Sequence, residues 1–186
     1  MSEDWRWKMN EAVERIRTRY DHIGRKSGAP FLALVYPPEV EVAALREWHT
    51  QIGALAPDFD VVTVDVLDTT QRSLDEIGID NVVAALQDPM PGSDPGAELA
   101  HHWVHAVAVA VRAASNGAGR RVVSLEHLAA LHPVAGPRDV MQQLWDSAQS
   151  ALLGPVVVLI PGTLTGPRTY AFLDAKSEFM YRGDLL

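Results

Sequence analysis

The sequence predicts an α/β fold, a three-layer sandwich of about five mostly parallel strands flanked by helices. Two observations carry that prediction. The run Pro155-Val-Val-Val-Leu-Ile160 is short and wholly apolar, and Pro161-Gly-Thr163 stops it. A run bounded in this way reads as a strand buried on both faces, as in parallel sheets. Segments of this kind also alternate with amphipathic, helix-like stretches long enough for parallel crossovers, which are right-handed as a rule. The topology expected is Rossmann-like or P-loop-like, in a single domain spanning 1–186.

The elements follow in order. Trp5, Met9, Val13, Ile16, Tyr20 and Ile23 recur every three or four residues, the apolar stripe of a long helix over about 4–23. Gly24 and Gly28 end it. Pro30 to Tyr36 is the first strand, and Pro37-Pro38 opens a helix reaching about Leu55, with Val42, Leu45, Trp48 and Ile52 inward. Asp60 to Val66 is the second strand. Asp68 to Gly78 and Asp80 to Gln87 read as short helices with acidic N-caps. The proline- and glycine-rich segment 88–96 reads as a flexible loop. Ala97 to Ala114 is an alanine- and valine-rich helix, capped by Asn116-Gly-Ala-Gly119. Arg121 to Leu125 is the third strand, and Pro137 to Leu152 a further helix. The Pro155 run and Thr169 to Asp174 are the fourth and fifth strands.

Composition narrows the function classes. The chain has 186 residues, no cysteine, and a net charge of −8 from 16 basic and 24 acidic residues. Without cysteine there is no disulfide framework and no thiolate ligand or nucleophile, which fits the cytoplasm. No apolar run approaches the roughly 18 residues of a membrane span. Met1-Ser-Glu-Asp-Trp5 is acidic, unlike the start of a signal peptide. The acidic balance argues against direct nucleic-acid binding. The basic groups Arg15, Arg17, Arg19 with Arg25-Lys26, and Arg120-Arg121, read as solvated faces.

The motifs give no reaction. A phosphate loop needs glycine amides and a lysine where a strand meets a helix. The turn Val35-Tyr-Pro-Pro-Glu-Val40 offers two prolines and a glutamate there. Gly24-Arg-Lys-Ser27 and Gly117-Ala-Gly119 precede strands and do not follow them. Glu126 ends the third strand where a Walker B carboxylate would sit, and Asp65 ends the second where a ribose contact would. For Glu126 an exposed strand-end glutamate is the plainer reading, and for Asp65 a cap or turn residue. His101 and His105 share one helical face and Glu98 and His102 another, so the two pairs do not converge on one ion. His127 and His132 read as solvated or capping, Ser124 as a strand residue without activation, and Trp5, Trp7 and Tyr181 as packing or interface aromatics.

With the strands placed, the chain resembles the BrxB family of the BREX bacteriophage-exclusion systems. Four segments carry the likeness: Pro30-Phe-Leu-Ala-Leu-Val-Tyr-Pro-Pro38; Asp60-Val-Val-Thr-Val-Asp-Val66; Val122-Val-Ser-Leu125 with the loop through His132-Pro133; and Val157-Val-Leu-Ile-Pro-Gly-Thr163 followed by Arg168 to Leu173 and Tyr181-Arg182. The last is similar to the family's "YPG" turn, strand and "YYR" tail. Ile160 stands where the family has an aromatic residue, and the middle, from about Asp68 to Pro95, is shorter. The resemblance implies a small cytoplasmic, non-catalytic adaptor with no cofactor. It also implies contacts with a PglZ-like phosphatase-fold protein, a large ATPase and a methyltransferase. The docking surface expected for such an adaptor is Tyr36, Pro37, Pro161, Gly162, Thr163, Arg168, Tyr181 and Arg182, although Gly162 alone reads better as a turn-shaping residue. The alternative is a degenerate nucleotide-binding or metal-dependent phosphohydrolase using Asp65 and Glu126, with His101 and His105 as weak metal candidates. A third reading is DNA contact through Arg15, Arg19 and Arg25.

Overall fold

Strand β1 (Phe31–Tyr36) is buried at every position, as an unbroken apolar run requires of a central strand. A computed structural model describes residues 4–146 and 152–186. Helix α1 (Asp4–Arg19) precedes β1 and ends in a 3-10 turn, Tyr20–His22. Then come α2 (Glu41–Gly53), β2 (Asp60–Asp65), α3 (Val66–Ile77), α4 (Ile79–Gln87), α5 (Pro95–Ser115) and β3 (Arg121–Glu126). Helix α6 (Pro137–Asp146) leads to β4 (Val156–Gly166), β5 (Thr169–Phe172), β6 (Lys176–Phe179) and β7 (Asp184–Leu185).

The main sheet has the order β2-β3-β4-β1-β7, and every pair in it is parallel. Side chains alternate between its faces with the period of a strand. Leu32, Leu34, Tyr36, Val157 and Leu159 pack against Trp5, Met9, Val13 and Ile16 of α1 and Leu45 and Trp48 of α2. Phe31, Ala33, Val35, Val156, Val158 and Ile160 pack against Val107 and Val111 of α5 and Val140 and Leu144 of α6. The result is the expected sandwich with helices on both faces. No helix among the described residues is long and apolar enough to cross a membrane.

The carboxyl-terminal third differs from the expectation. Pro161 does not stop β4, which runs on to Gly166. Pro161 is the last residue of β4 in register with β1, opposite Tyr36, and proline has no amide hydrogen to extend that ladder. Beyond it the strand leaves the parallel sheet and pairs antiparallel with β5, and β5 pairs with β6. Tyr170 and Phe172 of β5 join the core beside α5 and α6, so the hairpin lies over that face. A Cβ on Gly162 would overlap the carbonyl oxygen of Ala171, so only glycine allows this approach. Gly162 thus makes a close strand contact and shapes no turn. The expected fifth strand is antiparallel and ends at Phe172.

Smaller differences concern caps. Asp65, not Asp68, caps α3, its carboxylate accepting from the Asp68 amide at 3.2 Å. Helix α4 starts after Gly78 with no side-chain cap. Asp94 caps α5 through the Ala97 amide, so Pro95 and Gly96 belong to the helix and only 88–94 is loop. The end expected for the α6 helix, Leu152, lies past residues outside the described range, and the described helix ends at Asp146.

Candidate functional site

Three strands of the main sheet deliver polar side chains to its carboxyl edge. Tyr36 ends β1 with only 1% of its surface exposed. Its hydroxyl donates to Glu41 Oε1 at 3.4 Å. Burial first, and then the Glu41 charge, push its pKa well above the ordinary tyrosine value. Pro37 follows and starts a 3-10 turn, Pro38–Val40, in which no glycine amide turns toward a ligand. Nothing at this turn resembles a phosphate cradle.

Asp65 and Glu126 end β2 and β3 as register partners, so adjacent strands hold the two carboxylates side by side. Glu126 is not the exposed strand-end residue expected: it is 1% exposed. A buried carboxylate requires partners, and it has three. Ser124 Oγ donates to Oε1 at 2.6 Å, Thr63 Oγ1 donates to Oε1 at 3.4 Å, and His49 Nε2 lies 2.8 Å from Oε2. Ser124 in turn accepts from Trp48 Nε1 at 2.8 Å. Asp65 holds His127 Nδ1 at 2.9 Å with the oxygen not used in capping α3. His127 adopts a left-handed backbone (φ 57°), which swings it out of line with β3.

Two carboxylate–histidine pairs thus stand on neighbouring strands. His49 and His127 both line an open groove of about 590 Å³ with Arg46, Thr50, Leu45 and Val42. Asp65 fixes one nitrogen of His127 and leaves Nε2 without a partner among the described residues, the arrangement that orients an imidazole for proton transfer. His49 lines the groove and Glu126, 2.8 Å behind it, does not. Sequence reasoning found Asp65 and Glu126 but missed His49, and gave His127 no such role. Their pairing joins residues far apart in the chain, and only the β2–β3 register brings them together.

The other metal candidates stay apart from this edge. His101 and His105 stack at 6.4 Å on the exposed side of α5, with His102 beside them. No three histidine, aspartate or glutamate side chains among the described residues are gathered closely enough to hold a metal ion.

The residues expected to form a docking surface divide. Tyr36, Pro161 and Gly162 are buried. Arg168 is half-buried and donates from Nε to the Met180 carbonyl at 2.9 Å and from Nη2 to the Gly183 carbonyl at 3.3 Å. It clamps the hairpin to the segment before β7. Pro37 is half-buried, while Thr163, Tyr181 and Arg182 are exposed.

Tyr181 and Arg182 belong to an aromatic and arginine patch. Phe179 meets Tyr181 edge-on at 4.8 Å, and Arg138 lies 5.1 Å over the Tyr181 ring. Arg182 lies 3.9 Å over Trp145. Trp145 and Phe179 are each 39% exposed and Tyr181 is 59% exposed. Trp, Tyr and Arg are the residue types that most often anchor protein interfaces. Trp145 was not singled out in the sequence; it lies one turn after Met141 on α6.

Compared with family models, curated proteins and solved structures, the chain matches none of them.

Proposed function

We propose that this protein is a non-catalytic adaptor of a BREX-type antiphage complex, working in the cytoplasm and docking a PglZ-like protein through the Trp145–Phe179–Tyr181–Arg182 patch. The reading rests on the resemblance in its four segments, and one observation carries it onto the surface. The Tyr181-Arg182 tail motif stands exposed among Trp145, Phe179 and Arg138, with rings and guanidinium groups stacked on one another. Such side chains are held in place before binding, so little entropy is lost when a partner covers them. Tyr36, Pro161 and Gly162 then serve the same function indirectly, by fixing the hairpin that ends in this patch.

The test is capture of the purified PglZ-like protein from the same operon by Tyr181→Ala/Arg182→Glu. Capture is lost while circular dichroism stays unchanged. Undiminished capture removes this surface from the account. The neighbouring genes are expected to encode the large ATPase and the methyltransferase as well.

A second reading is favoured by the Asp65–His127 and Glu126–His49 pairs. They suit acid–base chemistry on a phosphate ester in the groove, the phosphohydrolase alternative. In that case His127→Asn abolishes hydrolysis of a nucleotide or phosphodiester panel and leaves partner capture intact. No turnover by the wild-type chain rejects this reading.

A further inference from the structure

The acidic balance of the chain hides a concentrated positive site. At the amino edge of the main sheet, opposite the carboxylate–histidine pairs, a cavity of about 370 Å³ is lined by Arg15, Arg19, His22, Arg25 and Lys26, with Ile23 and Asp184. Arg15 and Arg19 stand one helical turn apart on α1. Arg25 and Lys26 are exposed on the loop Gly24–Gly28. Ser27 Oγ donates to the Gly24 carbonyl at 2.8 Å and accepts from the Gly183 amide at 2.5 Å, so the loop is pinned to the segment before β7.

Arg15 has partners, Glu11 at 2.7 Å and Asp184 at 4.0 Å. The side chains of Arg19, Arg25 and Lys26 have none among the described residues. Asp184 is itself engaged by the Gly24 amide at 3.2 Å. Unpaired like charges held around one cavity repel one another, and an anion relieves that repulsion. Positive charge continues along the same edge: Arg17 donates to the Ala54 carbonyl at 2.9 Å, and Arg120 lies over Tyr20 and Phe59 at 5.8 and 5.7 Å.

We infer that this edge binds the phosphodiester backbone of a nucleic acid, independently of the adaptor reading. The lining decides between a nucleic acid and a free nucleotide. Small-molecule pockets are mostly apolar, with a few placed polar groups. Here five of the seven lining side chains are ionic, Arg15, Arg19, Arg25, Lys26 and Asp184, and positive groups continue outside the cavity to Arg17 and Arg120, as a polymer of phosphates requires. Such a surface grips phosphates and reads no sequence. The excess of acidic residues elsewhere confines the contact to this edge.

The experiment is fluorescence anisotropy with a labelled oligothymidylate of about 20 nucleotides, longer than the roughly 4–16 nucleotides of a typical single-strand site. Four cations acting on a single strand give a slope of about −3 in log K against log salt, an about fiftyfold loss between roughly 50 and 200 mM. Arg19→Ala/Arg25→Ala binds at least about tenfold more weakly at low salt and halves that slope. Arg6→Ala/Arg72→Ala, which removes equal charge elsewhere, leaves binding unchanged. The inference is overturned by no binding at low salt, by salt-independent binding, or by equal loss in both variants. Competition by a mononucleotide at equal phosphate concentration also overturns it, since that marks a nucleotide pocket.

Discussion

Gly162 has no side chain, and its effect on the fold follows from that. Where β4 leaves the parallel sheet, the glycine lets the Ala171 carbonyl approach to a distance no Cβ tolerates. Gly162→Ala must push the hairpin outward, and overpacking of this kind costs about 1–3 kcal/mol. Urea denaturation measures it as a lowered midpoint at unchanged slope; an unchanged midpoint refutes the close contact. Glu126 is the opposite case, a side chain whose chemistry was legible and whose environment was not. Its place at the end of a strand is plain from Val122-Val-Ser-Leu-Glu126. That Ser124, Thr63 and His49 close around it is not, because those partners come from two strands and a helix. Arg168 shows the same limit. A cationic residue beside a turn reads as a surface group, but here it holds two backbone carbonyls of a distant segment.

At the scale of elements, the apolar runs were easy to read and the polar strands were not. Strand β1, and β4 as far as Gly162, are buried on both faces and declare themselves by composition alone. Strand β6, Lys176-Ser-Glu-Phe179, has no apolar alternation, and its one buried residue is Glu178. Glu178 carries the docking of the hairpin onto α6. Its Oε2 accepts from the Tyr170 hydroxyl at 2.7 Å and from the Arg138 amide, in the first turn of α6, at 3.0 Å. An anion is favourable there, because helix amino ends carry positive potential. Lys176 Nζ adds an ion pair at 3.3 Å. Burial first, and then the Glu178 charge, raise the Tyr170 pKa far above its ordinary 10.0. Below pH 10.0 the phenol is protonated in folded and unfolded chains alike, so the contact contributes fully. Above it the unfolded chain releases the proton and the folded chain does not, so stability falls as pH rises. Tyr170→Phe is expected to lower stability at neutral pH by about 1–3 kcal/mol and to flatten the alkaline decline. Urea melts across the alkaline range check both; an equally steep decline in the variant rules out Tyr170 as its source.

Across the whole molecule, the sheet separates two chemistries. Its carboxyl edge carries Asp65 and Glu126 with their histidines, and its amino edge carries the arginines of α1 and the Gly24–Gly28 loop. The order β2-β3-β4-β1-β7 sets this polarity, since parallel strands place all their ends alike. The parallel sheet and its two helical layers were legible from alternation of elements. The division of the sites was not, because it depends on which strands become neighbours. The aromatic and arginine patch lies beside the amino edge, where Arg182 Nη1 also reaches the Ser27 carbonyl at 3.4 Å. The proposed protein contact thus stands next to the inferred polyanion contact, on a scaffold held by two apolar cores. The central claim is the protein contact. Isothermal titration of the purified chain against a PglZ-like protein, the partner proposed for it, is the direct test. Saturable heat that disappears with Tyr181→Ala/Arg182→Glu is the expected result; absence of heat with the wild-type chain, or identical heat with the variant, contradicts the protein contact.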